Sequence, residues 1–323
     1  MIARPLRLPA TLLVLALAAI SCTGDGGPDP TGPANITLSA QVATADLYVG
    51  APQRVQLGIS GATETQGVQV VSYGTIEVAF SFLPEGEDPV PGPTATATYL
   101  PAYLTDDSGT APALTNPSTA RGTYQTTVEF DRPGSWTAEV TAQIEGLGTH
   151  TLSSAFPVAA EPAYPAPGDK APRTRNATID SKGVEITAID SAAVDGALPD
   201  PALHEWTVAD ALAESRPIVV IVGTPAYCTS QFCGPENQAV ADLQSKYEDR
   251  AVFIHLEVWK QYAPPDTYVV NEAAADWIFR DNNLTEPWTF LVGPDGRIVD
   301  RWMPLFDPDE IARALRELPP IAS

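Results

Sequence analysis

Two cysteines separated by four residues, in Cys228-Thr-Ser-Gln-Phe-Cys233-Gly-Pro, are the side chains of this 323-residue chain best suited to chemistry. The thiolate is the nucleophile in disulfide exchange, and the unpaired backbone amides of a helix N-terminus lower a thiol's pKa. Gly234-Pro235 opens a stretch, 235–248, in which Ala239, Val240, Leu243 and Tyr247 recur at helical spacing. Cys228 is therefore expected in a loop and Cys233 at a helix start. A four-residue spacer leaves slack for a disulfide between them, and for one sulfur to resolve a mixed disulfide made by the other. In that use Cys228 is the more exposed attacker and Cys233 the resolving partner. A second use stays open: in an oxidising compartment the pair closes a short loop and remains closed, leaving a binding module with a structural disulfide.

Other chemistries find little support. There is no HExxH, no phosphate-binding glycine loop and no serine nucleophile elbow, so hydrolase and nucleotide chemistry are not indicated. Of the three histidines, only His255 could approach the cysteines, and its setting in Phe253-Ile-His-Leu-Glu-Val reads as a core or strand-end histidine. His150 and His204 receive no role. No metal site and no cofactor are expected.

The cysteines must be positioned by the elements around them. Residues 184–187 read as a strand, and Thr207 with Asp210 three residues on reads as a helix N-cap. The unbroken apolar run Ile218-Val-Val-Ile-Val222 is the kind of strand buried on both faces. After the helix at 235–248 come a strand at 252–258, a helix at 272–280 with Ala274, Trp277 and Ile278 inward, and a strand at 288–292. The turn Gly293-Pro-Asp-Gly296 then makes a hairpin with 297–302. Asp307-Pro-Asp-Glu opens a last helix, with Asp307 as cap, Pro308 in the first turn, and Ile311, Leu315 and Leu318 on the buried face.

The order βαβαβαββα, with the cysteines after the second strand, resembles the thioredoxin-like superfamily, in particular its exported lipoprotein members. The likeness covers 176–318 and rests on three motifs: Cys228 to Pro235, Glu286-Pro287-Trp-Thr-Phe-Leu-Val, and Gly293-Pro-Asp-Gly-Arg-Ile-Val. It implies an α/β thioredoxin-like fold over 176–323. It also implies a cis Pro287 facing the cysteines, with the backbone of Glu286 pairing with an extended substrate. The spacing departs from the two-residue spacer of true thioredoxins, so their potentials do not carry over. Cys233-Gly-Pro also resembles the start of the thioredoxin motif. The segment from Thr224 to Gly234 is similar to peroxiredoxins of the bacterioferritin-comigratory type, but Pro225 and Ile221 stand where that family has Thr and Pro. Copper chaperones of the Sco type use two cysteines, spaced by three residues, plus a later histidine. Thiol–disulfide exchange on exported protein thiols or disulfides, or with another redox protein, is the leading expectation; a peroxidase or a copper chaperone are lesser ones. Trp259-Lys-Gln-Tyr-Ala-Pro-Pro-Asp-Thr-Tyr268 reads as an aromatic loop, either a recognition surface or ordinary packing.

The N-terminal half has a different texture. Residues 36–158 are rich in Thr, Val, Tyr and Gly, with period-two stretches such as Arg54-Val-Gln-Leu-Gly-Ile and Thr75-Ile-Glu-Val-Ala-Phe-Ser-Phe, and turn signals between them. They predict an all-β immunoglobulin-like sandwich with a long loop over 84–116. Residues 120–140 resemble the last hairpin of small exported sandwich domains of bacterial envelope proteins. Pro162, Pro165, Pro167 and Pro172 mark 159–175 as a linker between the two expected domains.

At the N-terminus, Arg4 and Arg7 precede an apolar run ending in small residues, the pattern of a signal peptide over 1–21. Ala19-Ile20-Ser21-Cys22 resembles a bacterial lipobox, with Ala19 where Leu is usual. The resemblance implies acylation of Cys22 and anchoring in a lipid bilayer, with 22–35 as a flexible tether. The expected location is extracytoplasmic, on the bacterial cell membrane. The chain carries 18 Lys and Arg against 40 Asp and Glu, and loss of Arg4 and Arg7 leaves 16 against 40. Such an acidic surface repels nucleic acid, which is excluded as a partner.

Overall fold

The computed structural model describes residues 36–63, 67–319 and 321. The signal peptide, Cys22 and the tether lie outside the described residues.

Strand β1 (Thr37–Val42) is followed by β2 (Gln53–Thr63), β3 (Gly67–Ser72), β4 (Thr75–Phe82), β5 (Val90–Pro101), β6 (Ala113–Thr115), β7 (Gly122–Val128), β8 (Gly134–Ile144) and β9 (Gly148–Val158). All nine join one sheet in the order β6-β3-β2-β7-β5-β4-β8-β9, with β1 added on β2, and every pairing in it is antiparallel. Alternation does what it should: Trp136, Ala138, Val140, Ala142 and Ile144 of β8 are buried on one face. They pack with Phe80, Phe130, Tyr124 and Phe156 into a single apolar core.

The long strands change partners along their length. Strand β2 pairs with β7 through Gln53 to Leu57 and with β3 through Ser60 to Thr63. This is how one sheet curls over its own core. Strand β5 pairs with β4 over most of its length and with β7 only from Thr98 to Pro101. Pro91 and Pro93 therefore stand where one edge of the strand is free, and their missing N–H groups break no ladder. The stretch expected as loop, 84–116, thus contains two strands.

The second half begins with 3₁₀ turns at Ile186–Ala188 and Pro201–His204. It continues through α1 (Val208–Ala213), β10 (Ile218–Gly223), α2 (Cys233–Tyr247), β11 (Val252–Glu257), β12 (Trp259–Ala263), β13 (Thr267–Val270), α3 (Glu272–Ile278), the short β14 (Phe279–Arg280) and β15 (Asn283–Leu284), β16 (Trp288–Val292), β17 (Ile298–Trp302) and α4 (Pro308–Glu317). A four-stranded sheet runs β11-β10-β16-β17. Both its faces are covered, which explains the unbroken apolar run in β10. Val220 and Val222 face Trp277 and Phe290, whereas Val219 and Ile221 face Val240, Leu243, Ile311 and Leu315. The caps act as their chemistry predicts: the Thr207 side chain accepts from Asp210 N and that of Asp307 from Asp309 N.

These findings correct the expected fold class. Among the described residues strand makes up 41% and helix 16%, with a large curled antiparallel sheet and four α-helices. Neither an immunoglobulin-like sandwich of two facing sheets nor a C-terminal α/β thioredoxin-like fold is what forms. Alternation records that one face of a strand is buried; it does not record whether the opposing layer is a second sheet or the same sheet curling round. The strand expected at 184–187 is missing: Val184 lies exposed and pairs with no strand, and the chain turns into a 3₁₀ helix at Ile186. In its place as extra β-structure stand the β12–β13 hairpin and the β14–β15 ladder.

The described residues form one compact unit. The Pro-rich stretch 159–175 lies against the hairpin that ends in β17, with Gly168 N donating to Ile298 O and Ala171 N to Gly296 O. Arg301 of β17 reaches Asp46 at 2.8 Å with both side chains buried, and its guanidinium sits over the rings of Tyr48 and Trp288 at 5.2 and 5.1 Å. Buried Gln56 of β2 donates to Leu305 O at 2.7 Å and accepts from Thr123 at 2.8 Å. Every polar atom of the Gln56 amide is thereby used, which is what burial of an amide requires. Among the described residues no helix is long and apolar enough to cross a membrane.

Candidate active site

Strand β10 ends at Gly223, and the loop 224–232 carries the chain into α2, whose first residue is Cys233. The Cys233 side chain is wholly buried, while Cys228 is half-exposed; neither is in a disulfide. The loop folds back so that the Cys233 backbone N–H donates to the Cys228 sulfur at 3.3 Å, and Ser230 Oγ lies 3.2 Å from the same sulfur. Within the loop Gln231 takes a left-handed backbone, φ 64°, an uncommon conformation for a residue with a β-carbon. Its carbonyl accepts from Arg121 Nη1, at the start of β7. The residue that leads into β7 of the curled sheet therefore braces the cysteine loop.

The two sulfurs are driven apart in acidity. The Cys233 thiol donating to Cys228, together with Ser230 and the amides of Cys233 and Phe232, holds Cys228 down to about 5 against the opposing effect of burial. Burial pushes Cys233 well up, and its role as donor to Cys228 and the nearby Glu286 carboxyl add to that. At neutral pH this leaves one half-exposed thiolate and one sealed thiol, the arrangement a nucleophile and a resolving partner need.

Glu286 and Pro287 meet the cysteines. The Glu286–Pro287 bond is cis, and a carboxylate oxygen of Glu286 lies within 4.8 Å of both sulfurs. Glu286 Oε2 is buried with no hydrogen-bond partner. Desolvation first, then the Cys228 thiolate and Glu257, push this carboxyl up to about 8. Of the expected residues, Cys228, Cys233 and Glu286 lie together, with Pro287 next in the chain after Glu286; Cys22 lies outside the described residues.

The raised pKa of Glu286 ties stability to pH. A carboxyl whose folded pKa exceeds its unfolded value favours the fold fully below the unfolded value of 4.5, and loses that advantage as pH rises through about 8. Glu286→Gln removes the titration. The melting temperature of the variant should therefore gain on that of the native chain between about pH 4 and about pH 9, by calorimetry at both ends. A gap independent of pH would mean that the Glu286 carboxyl has the same pKa in the folded and the unfolded chain.

The aromatic stretch 259–268 is the β12–β13 hairpin. Tyr262 stacks on Tyr227 with centroids 4.2 Å apart, and Trp259 and Tyr268 complete the cluster. Tyr227, Trp259 and Tyr262, with Val184, Thr187 and Ala188, line a cavity of about 550 Å³ that Tyr227 brings next to Cys228 in the chain.

Sequence reading missed a second constellation. His255, read as a core histidine, and His204, given no role, both point at Asp190 behind the cysteine loop. Separations of 14 and 65 residues from Asp190 give no local spacing to find. Only the uncommon burial of a carboxylate with two imidazoles reveals it.

The chain matches no family model, and no curated protein matches it.

Proposed function

We propose that the protein is a thiol–disulfide exchange protein acting through Cys228 and Cys233 on exported protein clients, held outside the cytoplasm at a bacterial membrane by an acylated Cys22. The observation that carries this reading is the Cys228 sulfur accepting the Cys233 amide at 3.3 Å while the Cys233 sulfur is buried behind it. The likeness to the thioredoxin-like superfamily is kept at the level of the cysteine pair and the cis proline, without that family's fold.

In the reductive direction the Cys228 thiolate attacks one sulfur of a client disulfide. A Cys228–client S–S bond forms, the client's S–S bond breaks, and the client's other sulfur leaves as a thiolate that takes a proton from solvent. Cys233 then loses its proton and attacks Cys228, forming the Cys228–Cys233 disulfide and expelling the second client thiolate. The client gains two electrons and the cysteine pair loses two; a dithiol donor returns the pair to its reduced state by the same exchange. Glu286, titrating near 8, lies close enough to receive the Cys233 proton in the second step. The aromatic cavity beside Tyr227 gives an unfolded client segment an apolar foothold next to Cys228.

Equilibrating the folded protein against glutathione and then against stronger dithiols, with mass readout of the pair, tests the reading. A reversible couple above about −300 mV is expected of an exchangeable disulfide. A bond that yields only when the chain is denatured would instead make it a structural clasp, and the protein a binding module.

A further inference from the structure

Away from the cysteines, Asp190, His204 and His255 come from three separate parts of the chain. Asp190 follows the 3₁₀ turn at Ile186–Ala188, His204 ends the turn Pro201–His204, and His255 lies in the middle of β11. All three are buried, His204 at 0%, His255 at 2% and Asp190 at 4% exposure. The geometry of their contacts is specific. His255 Nε2 is 3.1 Å from the carbonyl of Gly223, which can only accept, so that nitrogen carries the hydrogen. In a neutral imidazole, Nδ1 is then a bare lone pair. That Nδ1 has no hydrogen-bond partner and faces Asp190 Oδ2 at 3.4 Å. Two lone pairs cannot confront one another in a dry interior, so a positive charge belongs at Nδ1, either a proton that makes His255 an imidazolium or a metal ion; the distances separate the two.

His204 Nε2 approaches the same oxygen at 3.3 Å. Both separations are longer than the roughly 2.7–2.9 Å of a charge-assisted N–H···O bond. They match the edge of a tetrahedron whose corners lie about 2.0–2.1 Å from a central zinc ion, which works out at about 3.3–3.4 Å. The three donor atoms all lie within 4.8 Å of one another. The surroundings are those of a metal ligand set: His255 is fixed by a backbone carbonyl through its other nitrogen, and Asp190 Oδ1 is occupied by the amide of Ala192 at 2.8 Å, leaving Oδ2 for the centre. His204 Nδ1 has no partner, which makes it the least firmly held of the three.

We propose that Asp190 Oδ2, His204 Nε2 and His255 Nδ1 bind one zinc(II) ion, with a fourth position left to water. Two imidazoles and a carboxylate suit a borderline divalent ion better than the soft copper(I) that a dithiolate would select. The site is separate from the exchange chemistry of the cysteines and stands whether or not that reading holds. Because Gly223 ends the strand that leads into the cysteine loop, an ion at this place also fixes the root of that loop.

The test uses the full chain, stripped by chelator and reloaded. With zinc(II), one ion per chain and a rise in melting temperature are expected. With cobalt(II), the expected spectrum has the visible bands of a tetrahedral site without thiolate-to-cobalt charge transfer. Asp190→Asn and His204→Gln each remove a direct ligand and should weaken zinc binding by more than the roughly tenfold to hundredfold that loss of an outer hydrogen-bond partner costs. A folded chain that takes up no zinc would overturn the proposal, as would a cobalt spectrum dominated by thiolate charge transfer, or either variant binding as tightly as the native chain. If both variants fail to fold, the stoichiometry and the cobalt spectrum of the native chain decide it alone.

Discussion

If the proposed exchange reading holds, Cys228→Ser should reduce disulfide exchange to the uncatalysed background, while Cys233→Ser should preserve the first attack and trap the client as a lasting mixed disulfide. The two outcomes differ because the two sulfurs do. A nucleophile must be ionised and reachable, and Cys228 alone is both: its sulfur is half-exposed, and four donors hold its pKa to about 5. The serine hydroxyl does not ionise at neutral pH, so the first S–S bond cannot form. Cys233 is sealed and protonated, useless for a first attack but already in contact with the sulfur it must later strike. Gel electrophoresis without reductant reads the trapped species directly. Alkylation by iodoacetamide gives the same asymmetry by a second route: the rate at Cys228 climbs as pH rises through about 5 and is level by neutrality, and Cys233 stays unlabelled until the chain unfolds. Equal labelling of both thiols in the native state, or a Cys228 profile centred near the ordinary thiol value, would sink the assignment of roles. Cys233→Ala removes the donor that a serine hydroxyl would replace, so the Cys233→Ala chain should show its Cys228 alkylation midpoint shifted upward.

Arg301→Met should cost about 3–5 kcal/mol, the loss typical of leaving one half of a buried ion pair behind. The Asp46 carboxylate would keep its two amide donors, Ala163 N at 3.1 Å and Tyr164 N at 3.3 Å, but lose the one cation that neutralises it. The guanidinium also donates to the carbonyls of Tyr164 and Pro165 and covers two aromatic faces, so packing is lost along with charge. Asp46→Asn with Arg301→Met removes both charges together and should recover much of the loss. Urea unfolding of the three variants measures it; the slope with denaturant should stay that of the native chain if the pair acts on stability alone. A loss below about 1 kcal/mol for Arg301→Met would place the pair among ordinary surface bridges.

What could be read from the sequence divides along physical lines. Elements whose signal is local are present where expected: the doubly buried run of β10, the Asp307-Pro308 opening of α4, and the Gly293 to Gly296 turn between β16 and β17. The segment of Glu286 comes to the Cys228 and Cys233 pair as the motif resemblance implies and not through any spacing, but with its carboxyl rather than its backbone beside the sulfurs. Features that depend on which strand lies beside which were not legible. The free edge that admits Pro91 and Pro93 into β5 exists only because β7 reaches no further than Thr98. Residues 184–187 alternate as a strand should, yet find no edge to join. The Asp190, His204 and His255 cluster is assembled wholly by the fold, and its members are unremarkable in their own segments.

The contact from Arg121 to the carbonyl of Gln231 bears on how this chain could be divided or inherited. The cysteine loop belongs by sequence to the second half, but one of its supports is lent by the first. A gene fragment encoding only 176–323 would deliver both cysteines, Glu286 and Pro287 to a new host protein without the brace that steadies an unfavourable turn between the thiols. Recombination at the Pro-rich stretch would thus separate the reactive pair from part of its own scaffold, and the two halves are better regarded as one heritable unit than as interchangeable modules.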